Sequence, residues 1–577
     1  MTGVETIDDS GATYSCPIAF EKDGVILSNL TETVTYSGTL TPLLTAVNPR
    51  YGTVTGGTSV TFTGTNFVTD TRSYTILIDK RTCAVTAATT TSVTCTTDHR
   101  PGLISPSLEI YVDGMGLVSN QQLLFRYVSM WSDDTTWGGE FAPMEGESIF
   151  VPEGLNLYID VDRTPELNLV MVEGSLIFAP EADPNHERYF DARYIFLNNA
   201  HMEVGTEEFP YTSKLTITMH GNISSPYLPI FGNKCIAVKH STLDMHGIKR
   251  EPTWTVLNET VEPGATTIKL SQAVDWVAGE EIAIAATSFD GREGEKRRIA
   301  AIDKSNPDVP VITLDEPLEF KHFAMIQHYG NDFIDMRAEV GLLTRNVKYR
   351  GDPENSAPNQ YGATIFLHSE GDDSLVARLE YIELNEVGQA FKVGRYAVHF
   401  HMIGAVHRSY CRGFGTHTSF NRAFTLHGTH YMRLINNVAY DVKGHVIFIE
   451  DAVEKKNHIE GNLIMKAKRS WSLLNTDQTP ACFWITNPDN NFIDNHCGGS
   501  DRYGYWYDLQ IHAIGPHANT NVCPENERVG EFRNNHAHSC GRYGLRIFHN
   551  MIPRKYPCKA ITYDHDYESK GETDPFW

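Results

Sequence analysis

Three pieces of the chain begin 24 residues apart: CRGFGTHTSFNRAFTLHG from 411, INNVAYDVKGHVIFIEDA from 435 and IEGNLIMKAKRSWSLLNT from 459. Each reads as a short strand, a polar bend and a second short apolar strand. A unit of that size cannot bury an apolar face alone. Stacked on its own copies it can, through parallel strands that lay like side chains over one another. The period predicts a right-handed parallel β-helix, with Ile435 aligned on Ile459, and Phe448 and Ser472 following Phe424. NNFIDNHCGGSDRYGYWYDL (490–509) and GEFRNNHAHSCGRYGLRIF (530–548) repeat the shape. Asparagines recur at the bends, where an amide tolerates tight backbone geometry and can hydrogen-bond its copy on the next rung.

The same period gathers chemistry. Of 24 histidines, 15 fall at or after position 399. In VGRYAVHFHMIG (393–404) alternation predicts a strand on which His399 and His401 share a face. His427 comes near the end of the next rung, and Glu450 and Asp451 close the one after. Stacking then predicts a cluster of His399, His401, His427, Glu450 and Asp451, with Arg395 leading into it. Three readings fit. Imidazoles and carboxylates can hold a divalent metal. Histidine as acid or base, with arginine neutralising a uronate, can cleave an acidic polysaccharide. Or the histidines hydrogen-bond along the stack. There is no His-x-x-x-His spacing, so no metal ligands and no cofactor are assigned; a divalent cation such as Ca²⁺ is compatible.

The N-terminal third repeats differently. GVILSN (24–29) answers MGLVSN (115–120), and Tyr36 answers Tyr127, at an offset of 91. Cys16 answers Cys95, so the second copy carries a 12-residue insertion. Across CAVTAATTTSVTC, threonine–valine alternation predicts antiparallel strands that bring Cys83 and Cys95 into a disulfide. The partner of Cys16 would precede Met1, so residues 1–40 read as the end of a domain whose start is missing. Residues 41–129 read as a complete small β-sandwich, punctuated by Pro49, Gly52, Gly56, Gly57 and Gly64.

Between these lie short strands at even spacing, without helical period. Asp160 and Asp162 share the face of a predicted strand; a solvated edge is the ordinary reading, a cation pair the alternative. Residues 256–340 alternate like another small β unit. The charge run Arg292 to Arg298 is expected on an exposed face.

Hydrophobic residues at 41% and charged residues at 21% describe globular material. A net charge of −24 argues against nucleic acid or an anionic membrane as partner. No apolar run is long enough for a membrane helix, and the start lacks a signal peptide. Three sequons, at Asn29, Asn222 and Asn258, point outside the cytosol.

NPRYGTVTGGTSVTFTGTNF (48–67) resembles an IPT/TIG domain, an immunoglobulin-like spacer or adhesion module without catalytic residues. Trp137-Gly138-Gly139, Pro143, Gly146, Val151-Pro152, Gly154 and VEGSLIF (172–178) resemble a G8 domain over 130–255. GQAFKVGRYAVHFHMIG, RAFTLHGTHYMRLINNVAYDVKGHVIFIED, SLLNTDQTPACFWITNPDNNFIDNHCGG and GEFRNNHAHS resemble the fibrocystin-L-like family of TIG, G8 and parallel-β-helix proteins. That family includes a hyaluronan-degrading branch sharing the strand of Arg395, His399 and His401. The resemblance implies an all-β fold: TIG sandwich, G8 β-domain and a truncated β-helix over 341–577. It implies the extracellular part of a cell-surface or secreted matrix protein. Its role would be adhesion or capture of a glycan or protein ligand, with membrane contact only through a missing C-terminal anchor. The alternative is a polysaccharide-cleaving hydrolase. By the same resemblance Cys523 and Cys558 pair, while Cys482, Cys497 and Cys540 are buried thiols.

Overall fold

The computed structural model describes residues 13–22, 25–37, 40–100, 107–120, 125–471, 475–518 and 520–558. The expected domain remnant before residue 13, the side chain of Asn29 and the end of the β-helix after residue 558 lie outside the described residues. The chain divides into two units: Met1–Phe141 with Pro152–Tyr158, and Ala142–Val151 with Ile159–Trp577.

In the first unit Thr13–Lys22 and Val25–Ser37 pair as an antiparallel hairpin. A sandwich follows. One sheet orders Leu43–Asn48, Ser59–Thr65, Ser92–Thr96 and Ala84–Ala88; the other orders Gly116–Leu117, Leu108–Val112, Tyr74–Ile78 and Arg81–Thr82. Alternation sends Val60, Phe62, Ile76, Ile78, Val93 and Ile110 into one core. Cys83 and Cys95 are disulfide-bonded beside antiparallel strands that pair Val85 with Cys95.

The second unit is a parallel β-helix whose rungs contribute to three walls. The first wall runs through Cys235–Lys239, β1 (Thr364–His368), β2 (Val398–Ala405), β3 (Phe424–His430), β4 (Ile447–Ile449), Ala481–Ile485 and Tyr503–Asp508. A second runs through Val347–Gly351, Ile382–Val387, Gly415–Ser419, Val438–Lys443 and Leu463–Lys468. A third runs through Thr242–His246, Val376–Glu380, Tyr410–Arg412, Arg433–Ile435 and His458–Glu460.

The stack begins inside the expected G8 segment. Leu167–Val172, Glu187–Asn198 and Lys214–Met219 pair in parallel, and Leu215 pairs with Val347. An antiparallel unit interrupts it: Trp254–Val256, Glu339–Leu342, Glu281–Ile284, Glu295–Asp303, Val311–Leu314 and Thr267–Lys269 form one sheet over a core of Trp276, Ile282, Ile299 and Val340. This insert packs Ala283, Ala285 and Leu343 on Val438, Tyr440, Leu463 and Met465 of the second wall.

Several sequence expectations need correction. Register pairs Cys411 with Leu434 and Leu434 with Ile459, so Ile435 sits on Glu460. Individual rungs are a residue shorter or longer than their mean. Phe424 pairs with Ile447, so Phe448 sits on Thr425; on its other side it meets Trp484, because the next rung carries a loop before Ala481, and Ser472 lies outside the described residues. Asp160 and Asp162 follow the strand Asn156–Ile159 rather than sharing its face, and Asp162 pairs with His186. In the charge run Arg292 and Arg298 are exposed, as expected, but Glu295 between them is buried. Arg292 binds Asp501 at 2.7 Å, and Arg297 binds Glu295. Cys482 and Cys497 form a disulfide between adjacent walls of one rung instead of remaining thiols. Cys540 is free, 3.8 Å from the Cys497 sulfur. Cys523 and Cys558 are bonded, and Cys235 and Cys411 are buried thiols.

The bends are held by an amide ladder. Asn437 Nδ2 donates to Asn462 Oδ1 at 2.9 Å, Asn462 to Asn495 at 2.8 Å, and Asn495 to Asn535 at 3.0 Å. The residue before each rung asparagine has positive φ: Asn436, Gly461, Asp494 and Asn534. Short amides and glycine tolerate that conformation best. Asn462→Ala would orphan the Asn437 amides and Leu434 carbonyl, each at about 1–3 kcal/mol. A lowered denaturant midpoint with unchanged slope is the expected readout.

Glu383 is buried beneath the second wall, accepting from His417 Nε2 at 3.1 Å and Lys348 Nζ at 2.9 Å. Burial pushes its carboxyl up, but the His417 hydrogen bond and the Lys348 charge outweigh it and hold it at about 2, against an ordinary 4.5. The unfolded chain therefore takes up this proton first. The stability from Glu383 is complete above about 4.5 and drains away as pH falls towards 2. In Glu383→Gln, acid titration of the unfolding midpoint should be flatter across that window.

Candidate functional site

His401 on β2 lies directly beside His427 on β3, in register. The pairing then slips, Gly404 meeting Thr429, because Met402 takes a positive φ and bulges the strand. Bulges re-aim side chains in this way. Glu450 and Asp451 follow the end of β4, and the Glu450 amide donates to Leu426 O on β3. Successive rungs thus deliver His399 and His401, His427, and the two carboxylates to one place on the first wall.

His399 and His401 share a face, with ring centroids 5.0 Å apart. His399 is only 2% exposed. Its Nδ1 donates to Gly394 O at 2.9 Å, and its Nε2 points inward without a hydrogen-bond partner. Burial, then neighbouring His401 and His427, hold this ring well below the ordinary range, so it is neutral. His401 Nδ1 stands 3.0 Å from His427 Nδ1, and burial with the nearby His427 lowers His401 to about 3.

His427 Nε2 donates to Asp451 Oδ2 at 2.7 Å. Burial opposes charge on His427, but the Asp451 hydrogen bond and Glu450 charge overcome it and raise the ring. The two adjacent carboxyls diverge. Burial raises Glu450, whose Oε2 is unpartnered, 3.9 Å from His399 Nε2 and 3.7 Å from His427 Nδ1. Burial also pushes on Asp451, but hydrogen bonds from His427 and His517 lower it.

Arg395 does not reach the carboxylates. Its guanidinium lies over the Phe366 ring at 5.0 Å, and a Cβ on Gly232 would collide with it. Buried Asn421 pins the Arg395 loop, donating to the carbonyls of Gln389 and Lys392. Lys392 Nζ stands 5.2 Å over Tyr227, which is half exposed.

Sequence reasoning missed several groups. His517 donates to Asp451 Oδ2 at 2.8 Å from a loop that lies outside the rung period. Gly515 permits the approach, since a Cβ there would sit 2.6 Å from Asp451 Oδ1. Glu454 accepts from the Gly428 and Asp451 amides, and burial raises it to about 7. Asn222 and Asn258 are exposed. A cavity of about 1360 Å³, lined by Trp254, Arg337, Arg412, His496 and His536, lies apart from the imidazole cluster.

Family models match in three places: an IPT/TIG domain over residues 42–127, a G8 domain over 136–258 and the CEMIP β-helix over 360–545. Sandwich, G8 segment and β-helix define the class: an all-β chain of TIG, G8 and CEMIP-type β-helix domains. Within it, the chain is fibrocystin-L-like over nearly its whole length, and it spans only a small part of the length of the curated relatives it matches. It is 34% identical to Fibrocystin-L of Mus musculus over 564 residues, covering 91% of this chain and 13% of that one. It is 33% identical to Fibrocystin-L of Homo sapiens, covering 94% of this chain and 14% of that one. A G8 domain-containing protein of Dictyostelium discoideum is 27% identical, covering 72% of this chain and 30% of that one. The Gp54 tailspike of Acinetobacter baumannii bacteriophage AP22 is similar at 8% identity and a TM-score of 0.18, over 73% of this chain and 72% of that one. A score that low carries no argument. Among the described residues no helix is long and apolar enough to cross a membrane.

Beneath the cluster, Arg422 spans to Asp477, with Nη2 2.8 Å from Oδ2, and donates from Nη1 to the Tyr396 hydroxyl at 3.0 Å. Its guanidinium also lies 3.6 Å over Phe448. All three polar groups are buried, so Arg422→Ala leaves Asp477 as an uncompensated charge. The expected cost is about 3–5 kcal/mol, read as a large drop in unfolding midpoint.

Proposed function

We propose that this chain is part of an extracellular, cell-surface or matrix scaffold that captures an acidic glycan on the first wall of its β-helix. One observation carries the reading. In a chain of net charge −24, Lys392 and Arg395 stand together beside the half-exposed Tyr227 ring, at the edge of the histidine cluster. Cations neutralise a uronate, and an aromatic face packs against a sugar's C–H surface. The stacked strands hold these groups fixed, which limits the ordering cost of binding. The fibrocystin-L likeness supports an extracellular setting.

A second reading, a polysaccharide-cleaving hydrolase, rests on the two carboxyls whose proton affinities diverge. Protonated Glu450 would give its proton to the departing glycosidic oxygen, and water would close the anomeric carbon and lose its proton to solvent.

Both readings are tested with high-molecular-weight hyaluronan. The intact chain should be retained on the immobilised polymer and not on neutral dextran. Lys392→Glu with Arg395→Gln should lower retention at least roughly tenfold, since each lost charge contact weakens binding by a kcal/mol or more. Absence of retention sinks the capture reading. Hyaluronan of unchanged length after incubation, with or without Ca²⁺, sinks the hydrolase reading; shortening abolished by His399→Ala supports it.

A further inference from the structure

We propose that His399 Nε2, His401 Nδ1 and His427 Nδ1 form a three-imidazole site for a first-row transition-metal dication of the zinc class, with Glu450 beside its open side. This goes beyond glycan capture and does not depend on it.

One ring nitrogen from each of the three histidines lies within 4.8 Å of the other two. Imidazole–zinc bonds of 2.0–2.1 Å place tetrahedral ligand atoms roughly 3.3 Å apart. The 3.0 Å between His401 and His427 is close to that spacing, and His399 belongs to the same group. The outer hydrogen bonds set the right tautomers. His399 spends its ring proton on Gly394 O, leaving Nε2 as a bare lone pair. His427 spends its Nε2 proton on Asp451, leaving Nδ1 facing inward. A histidine held through its far nitrogen by a carbonyl or carboxylate is the usual outer shell of a metal ligand. Asp451 is itself fixed by His517.

The competing account is a hydrogen bond between His401 and His427. It satisfies two nitrogens and leaves the buried His399 Nε2 and Glu450 Oε2 without partners. Buried polar atoms are rarely left so, because each costs free energy. One cation among them satisfies all four. The donor set also selects the metal. Three imidazoles suit zinc, copper or nickel, whereas Ca²⁺ requires six to eight oxygens. His401 and Glu450 are partly exposed, which leaves a path and a free coordination position.

The test uses the intact chain, freed of any histidine tag and stripped with a chelator. Dialysis against Zn²⁺, Co²⁺ or Ca²⁺, each in turn, is followed by elemental analysis. One equivalent of zinc or cobalt per chain is expected, with visible d–d bands for cobalt. His399→Gln and His427→Gln should each lose that equivalent. His401→Gln, at a partly exposed position, serves if the buried variants unfold. Asp451→Asn should weaken zinc roughly ten- to a hundredfold. His496→Gln, in the separate cavity, should bind as the parent does. No uptake of zinc or cobalt overturns the proposal. So does uptake of calcium alone, or uptake unchanged in folded His401→Gln.

Discussion

Everything in the second unit depends on backbone amides finding partners in the neighbouring coil. A single rung has no stable form of its own, because its hydrogen bonds and its apolar surface are both completed by the rungs above and below. The bends are the weak point of such a stack, since their amides face inward and no strand ladder serves them. The asparagine column answers that need: each amide takes a proton from one coil and gives one to the next. Once the bends are fixed, walls align, and a side chain's neighbours are set by rung register rather than by sequence distance.

That alignment explains why the histidine pair on β2 meets groups from two further coils. It also explains the electrostatics. A neutral, inward His399 and a proton-hungry Glu450 coexist with a charged Asp451 only because the walls hold each in a different solvation. In a flexible loop these groups would turn to water and revert to ordinary behaviour. Beneath them, Arg422 and Asp477 form a fully buried ion pair, tying the turn that leads into β3 to a segment outside the rung period.

Much of this was legible from spacing. Strand alternation places His399 and His401 together, and the repeat brings His427, Glu450 and Asp451 to them. Recurring asparagines mark the bends. What spacing hid has a common cause. A mean rung of 24 residues conceals coils one shorter and one longer, so predicted register slipped by a residue at Ile435. His517, Asp477 and the Cys482–Cys497 bond all involve loops or wall-to-wall contacts that periodicity does not encode. Arg395 reads in the sequence as leading into the cluster; its loop lays it over Phe366, the ring that packs against His399 and His401.

The antiparallel insert separates coils that touch. His246 and its hydrogen-bond partner Glu380 are 134 residues apart, although they occupy successive positions in the third wall. During synthesis the early coils must therefore wait, their growing edge unpaired, until the whole insert has emerged and brought its ends together. The closure itself costs little more than a shorter loop would, because the penalty rises only logarithmically with length. The delay is what matters: an open parallel edge is a template for other chains. A ribosome-bound intermediate halted inside the insert would be the most association-prone stage in the life of this molecule.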